Sequence, residues 1–313
     1  MFSESTQCSV EQLNEQLSGS FAGIEAIESP MLNFGFWNTY RKSLVEPVIE
    51  WVHEFELNIV LLAESTLSSQ SLAEMLSISS GQVWSYPKNP IRRFCVAYRE
   101  PLLSFEPVYV DRSERAPLLE LRTGHETLLI ALVHLPSLLH RDETDQDIII
   151  SDLISRIDEQ EKFAGHSRTM VIGDFNLNPF SRQVIGANGL HATMSRQLVK
   201  KGSRTVDGNE RKMFYNPMWR FLGDDGEHPP GTHFYRSSTS NAYFWHVFDQ
   251  VLLRNELTDR LVDLKIITKL NSFSLLNDSG QPDRENFSDH FPVVLKLASP
   301  VSQEAPHGNF ANS

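Results

Sequence analysis

The stretch Val171-Ile172-Gly173-Asp174-Phe175-Asn176 is an apolar run that ends in a carboxylate and a carboxamide. Such a run is typical of a buried strand that delivers polar side chains at its end. Asp174 and Asn176 are two residues apart, so in a continuing strand they point to one face, where their oxygens suit a hard cation. Asp and Asn shortly before Pro179 are also common turn residues. Taken alone, the stretch is better explained by a simple turn.

Polar side chains stand at the ends of six predicted strands. In chain order these are 32–37 before Asn38, 58–63 before Glu64, 127–133 before His134, 171–173 before Asp174, 247–253 with Asp249, and 291–297 after Asp289 and His290. If all six share one rim, the last two strands run opposite to the first four, which requires mixed or antiparallel sheets. The alternative is six unrelated strand ends, each with a polar turn residue.

The sequence pattern also divides the chain into segments. Helical periodicity is clear at 43–56 and from Ile148 to Ile157, and one large α/β domain is preferred to two smaller ones. The expected boundaries are an N-terminal helical extension at 1–30, the main domain at 31–298 and a disordered tail at 299–313. Within the domain, 200–246 reads as an aromatic and basic insertion near the site.

Charge and cysteine content limit the class of protein. Lys and Arg number 28 against 40 Asp and Glu, a net charge of −12, which argues against binding anionic polymers through bulk charge. A nuclease remains compatible, because a local basic rim or a bound cation can offset phosphate charge. Cys8 and Cys95 form no disulfide framework, and no apolar run is long enough to span a bilayer. The sequence therefore predicts a cytoplasmic protein with no membrane contact.

Each candidate residue also has an ordinary structural explanation. Glu64 could be a solvated acid, Asp249 could pair with Arg254, His134 could be a hydrogen-bonded core histidine, and Asn38 could cap a helix. Together the set offers carboxylates, carboxamides and two histidines. Hydrolysis of a phosphate ester needs a cation, a base for water and donors for the developing charge, and these groups can supply all three.

Six motifs resemble those of the endonuclease/exonuclease/phosphatase superfamily, whose members have the DNase I-like fold. They follow the family's order between residues 31 and 298. They read Trp37-Asn38-Thr39, Leu62-Ala63-Glu64-Ser65, Ala131 to Ser137, Gly173 to Pro179, Phe248 to Leu252 and Ser288 to Val293. The resemblance implies an α/β fold, a four-layer α/β sandwich of two packed mixed sheets, in agreement with the strand directions argued above.

The resemblance also implies roles for the residues at these positions. Glu64 looks like the principal Mg²⁺ ligand, with Asn38 and Asp289 close to the metal and Mn²⁺ as a substitute. Asp174 and Asn176 would orient the attacking water and a phosphate oxygen. His290 would be a general base or phosphate binder oriented by Asp249, and His134 would stabilise the transition state or assist the leaving group.

Three further positions are expected to bind substrate: Thr232, Arg93 and Tyr98. Thr232 belongs to a Gly-Thr pair that resembles a phosphate-contact loop, although a turn after Pro229-Pro230 explains it nearly as well. Gln250 departs from the family pattern, because many members carry His or Arg beside the aspartate of that motif.

The function implied is Mg²⁺-dependent phosphodiester hydrolysis by in-line attack of water, without a covalent intermediate. A nuclease is the primary expectation, with DNA slightly favoured over RNA. The aromatic and basic residues of 200–246 could hold a strand by stacking and phosphate contact, or simply pack against one another. The alternatives are a phosphatase or phosphodiesterase acting on a small-molecule or lipid phosphate, and a catalytically silent binding subunit. A protein partner is left open.

Overall fold

The computed structural model describes residues 31–100, 103–137, 143–224, 226, 228–236 and 243–300. The strands are β1 (Met31–Asn38), β2 (Ile59–Ala63), β3 (Trp84–Ser85), β4 (Phe94–Arg99), β5 (Leu103–Tyr109), β6 (Leu118–Thr123), β7 (Thr127–His134), β8 (Thr169–Asp174), β9 (Ala192–Thr193), β10 (Ser203–Val206), β11 (Asn209–Lys212), β12 (Phe214–Tyr215), β13 (His233–Phe234), β14 (Trp245–His246), β15 (Asp249–Leu253), β16 (Leu261–Ile266) and β17 (Val293–Ala298). The helices are α1 (Val45–Glu54), α2 (Ser69–Ser80), α3 (Glu143–Ala164), α4 (Arg182–Ile185), α5 (Arg196–Val199) and α6 (Asn255–Thr258), with a 3₁₀ turn at Pro217–Phe221.

Two large mixed sheets form the centre of the fold. The first has six strands in the order β16-β17-β1-β2-β4-β3, and the second has seven in the order β5-β6-β7-β8-β15-β12-β9. Each contains a parallel pair, β1 with β2 and β7 with β8, flanked by an antiparallel strand, β17 and β15 respectively. The predicted strand directions and the prediction of mixed sheets are therefore confirmed.

The sheets pack face to face, with helices on their outer faces. Residues of both sheets, among them Phe34, Ile130 and Ile172, belong to one buried cluster. On the outside of the first sheet Trp37 meets Trp51 of α1 edge to face at 5.8 Å between ring centroids. A second cluster joins the outer face of the second sheet to α3. The result is the expected four-layer α/β sandwich.

Local sequence explains the helices that cover the first sheet. α1 buries Val48, Trp51 and Val52 on one stripe, and Pro47 lies in its first turn, where a missing N–H costs little. α2 begins at the cap residue Ser68, whose Oγ accepts from the Ser71 N–H at 3.0 Å, and ends at the left-handed Gly81.

Of the described residues in the insertion predicted at 200–246, seven between 233 and 246 line the cavity described below. The strand β12, which belongs to the same predicted insertion, extends the second sheet. Its Tyr215 pairs with Leu253, at the end of β15 remote from Asp249. The hairpin β13–β14 instead pairs with the segment before β17 through a bridge between His233 and His290. The predicted extension at 1–30 and all but two residues of the predicted tail lie outside the described residues. Among the helices that the structure describes, none is long and apolar enough to cross a membrane.

Candidate functional site

The polar strand ends meet in one cavity of about 1110 Å³. It lies at the rim where β1, β2, β7 and β8 end and where β17 begins. The predicted residues that line it are Asn38, Glu64, His134, Asp174, Asn176, Asp289 and His290, together with Arg93. Asp249 lies behind His290 and is fully buried. Their convergence follows from the strand directions, because parallel strands end at one edge and antiparallel neighbours start there.

Asp174 accepts hydrogen bonds from two carboxamides at the base of the cavity. Asn38 Nδ2 donates to Asp174 Oδ2 at 3.0 Å, and Asn176 donates to the same oxygen from Nδ2 at 3.1 Å and to Oδ1 from its backbone N–H at 2.9 Å. Burial raises the pKa of Asp174, while the nearby charge of His290 acts in the opposite direction. The carboxylate is thus oriented firmly but remains a stronger base than an exposed aspartate.

His290 is held between carboxylates. Its Nδ1 lies 2.8 Å from Asp249 Oδ2, and its Nε2 lies 4.0 Å from Asp174 Oδ2. Burial alone would lower the pKa of His290, but Asp249 and Asp174 outweigh it and raise the pKa to about 10. The imidazole therefore carries a positive charge at neutral pH and presents an N–H to the cavity.

The loop that carries His290 is anchored to the first sheet. Ser288 Oγ donates to the Asn38 carbonyl at 2.5 Å and accepts from the His290 N–H at 3.1 Å. Trp37 Nε1 donates to the His290 carbonyl at 2.9 Å. These bonds hold the histidine at the end of β1 beside Asn38.

Glu64 and Asp289 form the acidic side of the cavity. His134 Nε2 lies 3.4 Å from Glu64 Oε1, and this contact lowers the pKa of Glu64 against the effect of burial. Burial raises the pKa of Asp289, and the charge of Glu64 adds to the rise. Asp289 Oδ1 is buried and has no hydrogen-bond donor among the described residues. An oxygen-preferring divalent cation fits this arrangement. It would offset the repulsion between the Glu64 and Asp289 carboxylates, and it would give the buried Asp289 Oδ1 a partner.

The backbone is strained where it delivers these groups. Glu64 and Asn176 have φ values of 48° and 49°, a left-handed conformation that is uncommon for residues other than glycine. Gly173 has φ 150°, and a Cβ atom there would lie 2.0 Å from the Val133 carbonyl oxygen. The strain lets each strand end turn its side chain into the cavity, as is frequent at functional sites.

Solved structures with a similar architecture were found, whereas no protein-family model and no curated protein sequence match the chain. One is an endonuclease/exonuclease/phosphatase family protein from Bacteroides thetaiotaomicron, with a TM-score of 0.52 and 12% identity over 87% of this chain and 99% of that one. Another is D. rerio TDP2 complexed with a single strand DNA product, at 0.51 and 15% over 86% and 99%. A third is an AP endonuclease from Archaeoglobus fulgidus, at 0.50 and 16% over 86% and 100%.

The chain has the DNase I-like fold. At these identities the similarity describes the architecture alone, and chemistry has to be argued from the residues. Within the DNase I-like fold the two parallel strand pairs aim Asn38, Glu64, His134 and Asp174 at one cavity.

Thr232, which is expected to bind substrate, does not line the cavity. Its side chain is fully buried, and its Oγ1 accepts from the backbone N–H groups of Phe248 at 3.2 Å and Asp249 at 3.1 Å. It supports the start of β15 and is not part of the cavity lining. Gln250 is likewise structural, since its Nε2 donates to the Leu177 carbonyl at 2.5 Å and its Oε1 accepts from Asn216.

Tyr98, also expected to bind substrate, lies outside the lining of the cavity, whereas Arg93 is part of it. Because β4 runs antiparallel to β2, Phe94 pairs with Ala63 near the site, while Tyr98 pairs with Ile59 at the far end. Tyr98 is 5% exposed and packs edge to face against Phe105. Arg93 precedes β4, and its Nε donates to the Ser113 carbonyl at 2.5 Å beside the cavity.

Sequence reasoning missed His233 as a neighbour of the site. Its Nδ1 donates to the Asp289 carbonyl at 2.9 Å, and its ring centroid lies 4.5 Å from that of His290. Burial lowers the pKa of His233 well below its usual value, and the charge of His290 acts in the same direction. His233 follows Thr232 in the predicted phosphate-contact loop, and of these two neighbours it is His233 that lines the cavity.

Proposed function

We propose that this chain is a metal-dependent phosphodiesterase of the nuclease type. The observation that carries the proposal is the convergence in one cavity of His290, held between Asp249 and Asp174, with the carboxylates of Glu64 and Asp289. A positive donor, a buried base and a cation site supply what phosphate-ester hydrolysis requires.

His290 and Asp174 divide the proton chemistry in this proposal. With Nδ1 bonded to Asp249 and its pKa raised by Asp249 and Asp174, His290 acts as the phosphate binder, donating from Nε2 to a non-bridging oxygen. Asp174, whose pKa is raised by burial, accepts a proton from the attacking water. Water attacks phosphorus in line, and the bond from phosphorus to the leaving oxygen breaks.

Asn176, His134 and Asn38 orient the reacting groups. Asn176 Nδ2 also donates to the Leu135 carbonyl at 3.0 Å, which fixes the carboxamide beside Asp174. His134 Nε2 lies 3.4 Å from Glu64 and 3.8 Å from Asp174 Oδ2, a position from which it would assist the leaving oxygen. Asn38 holds Asp174 through Nδ2.

Glu64, Asp289 and Asn38 would hold the cation. Their donor atoms are all oxygens, which favours Mg²⁺, with Mn²⁺ as a substitute. When bound, such an ion neutralises charge on the phosphate and on the leaving oxygen.

The substrate proposed is nucleic acid, with DNA favoured over RNA. The whole chain carries −12, yet exposed arginines such as Arg41 and Arg284 line the cavity beside the acidic floor. A local basic rim of this kind can attract a phosphate backbone even though the net charge of the whole chain is negative.

An activity panel tests the proposal. Supercoiled DNA, single-stranded DNA, RNA, phosphate monoesters and phosphoinositides are incubated with Mg²⁺ and with a chelator. We expect Mg²⁺-dependent cutting of nucleic acid and a loss of about a hundredfold or more in His290→Ala. His125→Ala, an exposed histidine in the turn between β6 and β7, is the matched control. Hydrolysis of phosphoinositide or monoester without cutting of DNA or RNA would overturn the nuclease assignment.

A further inference from the structure

The hairpin β13–β14 and its adjoining residues place large aromatic side chains at the cavity without burying them. Tyr243 is 57% exposed and Phe244 is 38% exposed, and both line the cavity, as does the exposed Tyr235. Aromatic rings left in water beside a charged site forgo the free energy of burial. Their position therefore indicates a ligand with an apolar, flat component.

These rings are fixed from behind by other aromatic side chains. Tyr243 packs on Phe180 at 5.4 Å between ring centroids, with an interplanar angle of 36°. Phe244 lies 6.5 Å from Phe234, which in turn meets Trp245 at 5.3 Å. Phe244 also has φ 47°, a strained conformation for an aromatic residue. Each ring thus has one side occupied and little freedom to collapse into the cavity.

Arginine side chains from other segments line the same cavity. Arg41 follows β1, Arg93 precedes β4, and Arg284 precedes β17 with its guanidinium over the Tyr40 ring at 4.7 Å. The ligand that matches both features carries several negative charges along a backbone and flat rings at its side. A phosphate monoester or a lipid headgroup offers the charge but no series of rings.

We propose that the cavity takes a single-stranded polynucleotide, whose unpaired bases stack on Tyr243 and Phe244 while its phosphates meet the arginines. In a duplex each base face is covered by its neighbours, so exposed rings gain contact only with unpaired bases. The inference rests on the proposed function and specifies its substrate. It does not require reading of the base sequence, because every base has a stacking face.

Binding in the absence of divalent metal tests the inference separately from catalysis. Fluorescence anisotropy is measured for oligothymidylate and oligouridylate of about ten nucleotides, a length within the range of single-strand sites. The comparison ligands are a backbone of the same length with abasic sugars and a blunt duplex. Tyr243→Ala and Phe244→Ala should each weaken binding of both base-bearing strands by about 5- to 150-fold. Neither variant should change binding of the abasic strand or the duplex.

Two further variants control the experiment. Phe163→Ala removes an 89% exposed ring on α3 that does not line the cavity, and it should leave all affinities unchanged. Tyr243→Trp should retain binding of the base-bearing strands. Equal losses on the abasic strand, or no loss on either base-bearing strand, would overturn the inference. If the strands bind as expected but are not cut when Mg²⁺ is added, the inference stands and the proposed hydrolase activity fails.

Discussion

The hydrogen bond between His290 and Asp249 joins the two sheets at the bottom of the cavity. Asp249 is the first residue of β15 in the second sheet, and His290 precedes β17 in the first. Their Nδ1 and Oδ2 atoms lie 2.8 Å apart, and both side chains are buried. The pairing orients the imidazole and sustains its charge, so the packing of the sheets and the electrostatics of the site depend on one another.

Replacing Asp249 with Asn should lower the pKa of His290. The wild-type imidazole, with a pKa raised to about 10, stays protonated at pH 8. In Asp249→Asn one of the carboxylates that stabilise the charged imidazole is gone, while burial still favours the neutral form. NMR titration of the metal-free protein measures both values. Activity that needs the charged imidazole is present below that pKa and is lost as pH rises through it, so its alkaline limb should move to lower pH in the variant.

The same variant should lose about a hundredfold or more in kcat/KM. Asp207→Asn, in the exposed turn between β10 and β11, removes an equal charge far from the cavity and should change neither quantity. An unchanged titration of His290 in Asp249→Asn would contradict the proposed electrostatic role.

Asp289→Asn should weaken metal binding while stabilising the metal-free fold. Because the pKa of Asp289 is raised in the folded state, the ionised carboxylate destabilises that state at neutral pH, and a neutral amide removes this cost. We expect a higher Tm in chelator and a Mn²⁺ affinity reduced by more than the roughly 10- to 100-fold typical of outer-shell losses. Calorimetry and Mn²⁺ electron paramagnetic resonance measure the two effects.

Glu74→Gln provides the comparison, since Glu74 is an exposed acid on α2 that hydrogen-bonds only with Gln70 in the described structure. It should change neither Mn²⁺ affinity nor Tm appreciably. An unaltered Mn²⁺ affinity in Asp289→Asn would exclude this residue as a ligand.

Variants of Thr232 distinguish a supporting role for this residue from direct contact with phosphate. Thr232→Val keeps the shape but removes the acceptor of two backbone N–H groups, which should cost about 1–3 kcal/mol in the free energy of unfolding. Thr232→Ser retains the acceptor and should cost much less. Urea unfolding gives both values. A raised KM with normal stability in Thr232→Val would instead support direct contact with substrate.

Gly173 should tolerate no side chain. A Cβ atom there would overlap the Val133 carbonyl oxygen of the neighbouring parallel strand, and side-chain rotation cannot relieve that contact. We expect Gly173→Ala to lose about 3 kcal/mol or more in the free energy of unfolding. Gly124→Ala, where an added Cβ meets nothing within 4 Å, should stay within about 0.5 kcal/mol of wild type. Similar stabilities of the two variants would show that the strand end relaxes.

Much of the sheet arrangement was predictable because it rests on local pattern. The run before Glu64 and the run before His134 are wholly apolar and end abruptly, and both form buried strands with those residues at their ends. β6 and β16 escaped prediction, because β16 in particular alternates buried and exposed residues such as Leu264 and Lys265 at a sheet edge. Charged residues interrupt both strands, so neither has the unbroken apolar run that marks β2 and β7.

The errors at the site come from pairing across the chain. Arg93 and Tyr98 are close in sequence, yet only Arg93 reaches the cavity, because the antiparallel pairing of β4 with β2 separates them by the length of the strand. Thr232 and His233 are adjacent, and the hairpin's bridge to His290 decides which of them faces the cavity. Neither pairing is encoded in local composition.

The sequence by itself determined six of the strands and the polar groups at their ends, and it indicated mixed sheets if those ends share one rim, since burial periodicity is a short-range property. Only the tertiary structure decided which ends meet, that His290 lies between Asp249 and Asp174, and that Tyr98 and Thr232 lie outside the lining of the cavity. These outcomes depend on strand order, register and burial, which arise from contacts between residues far apart in the chain.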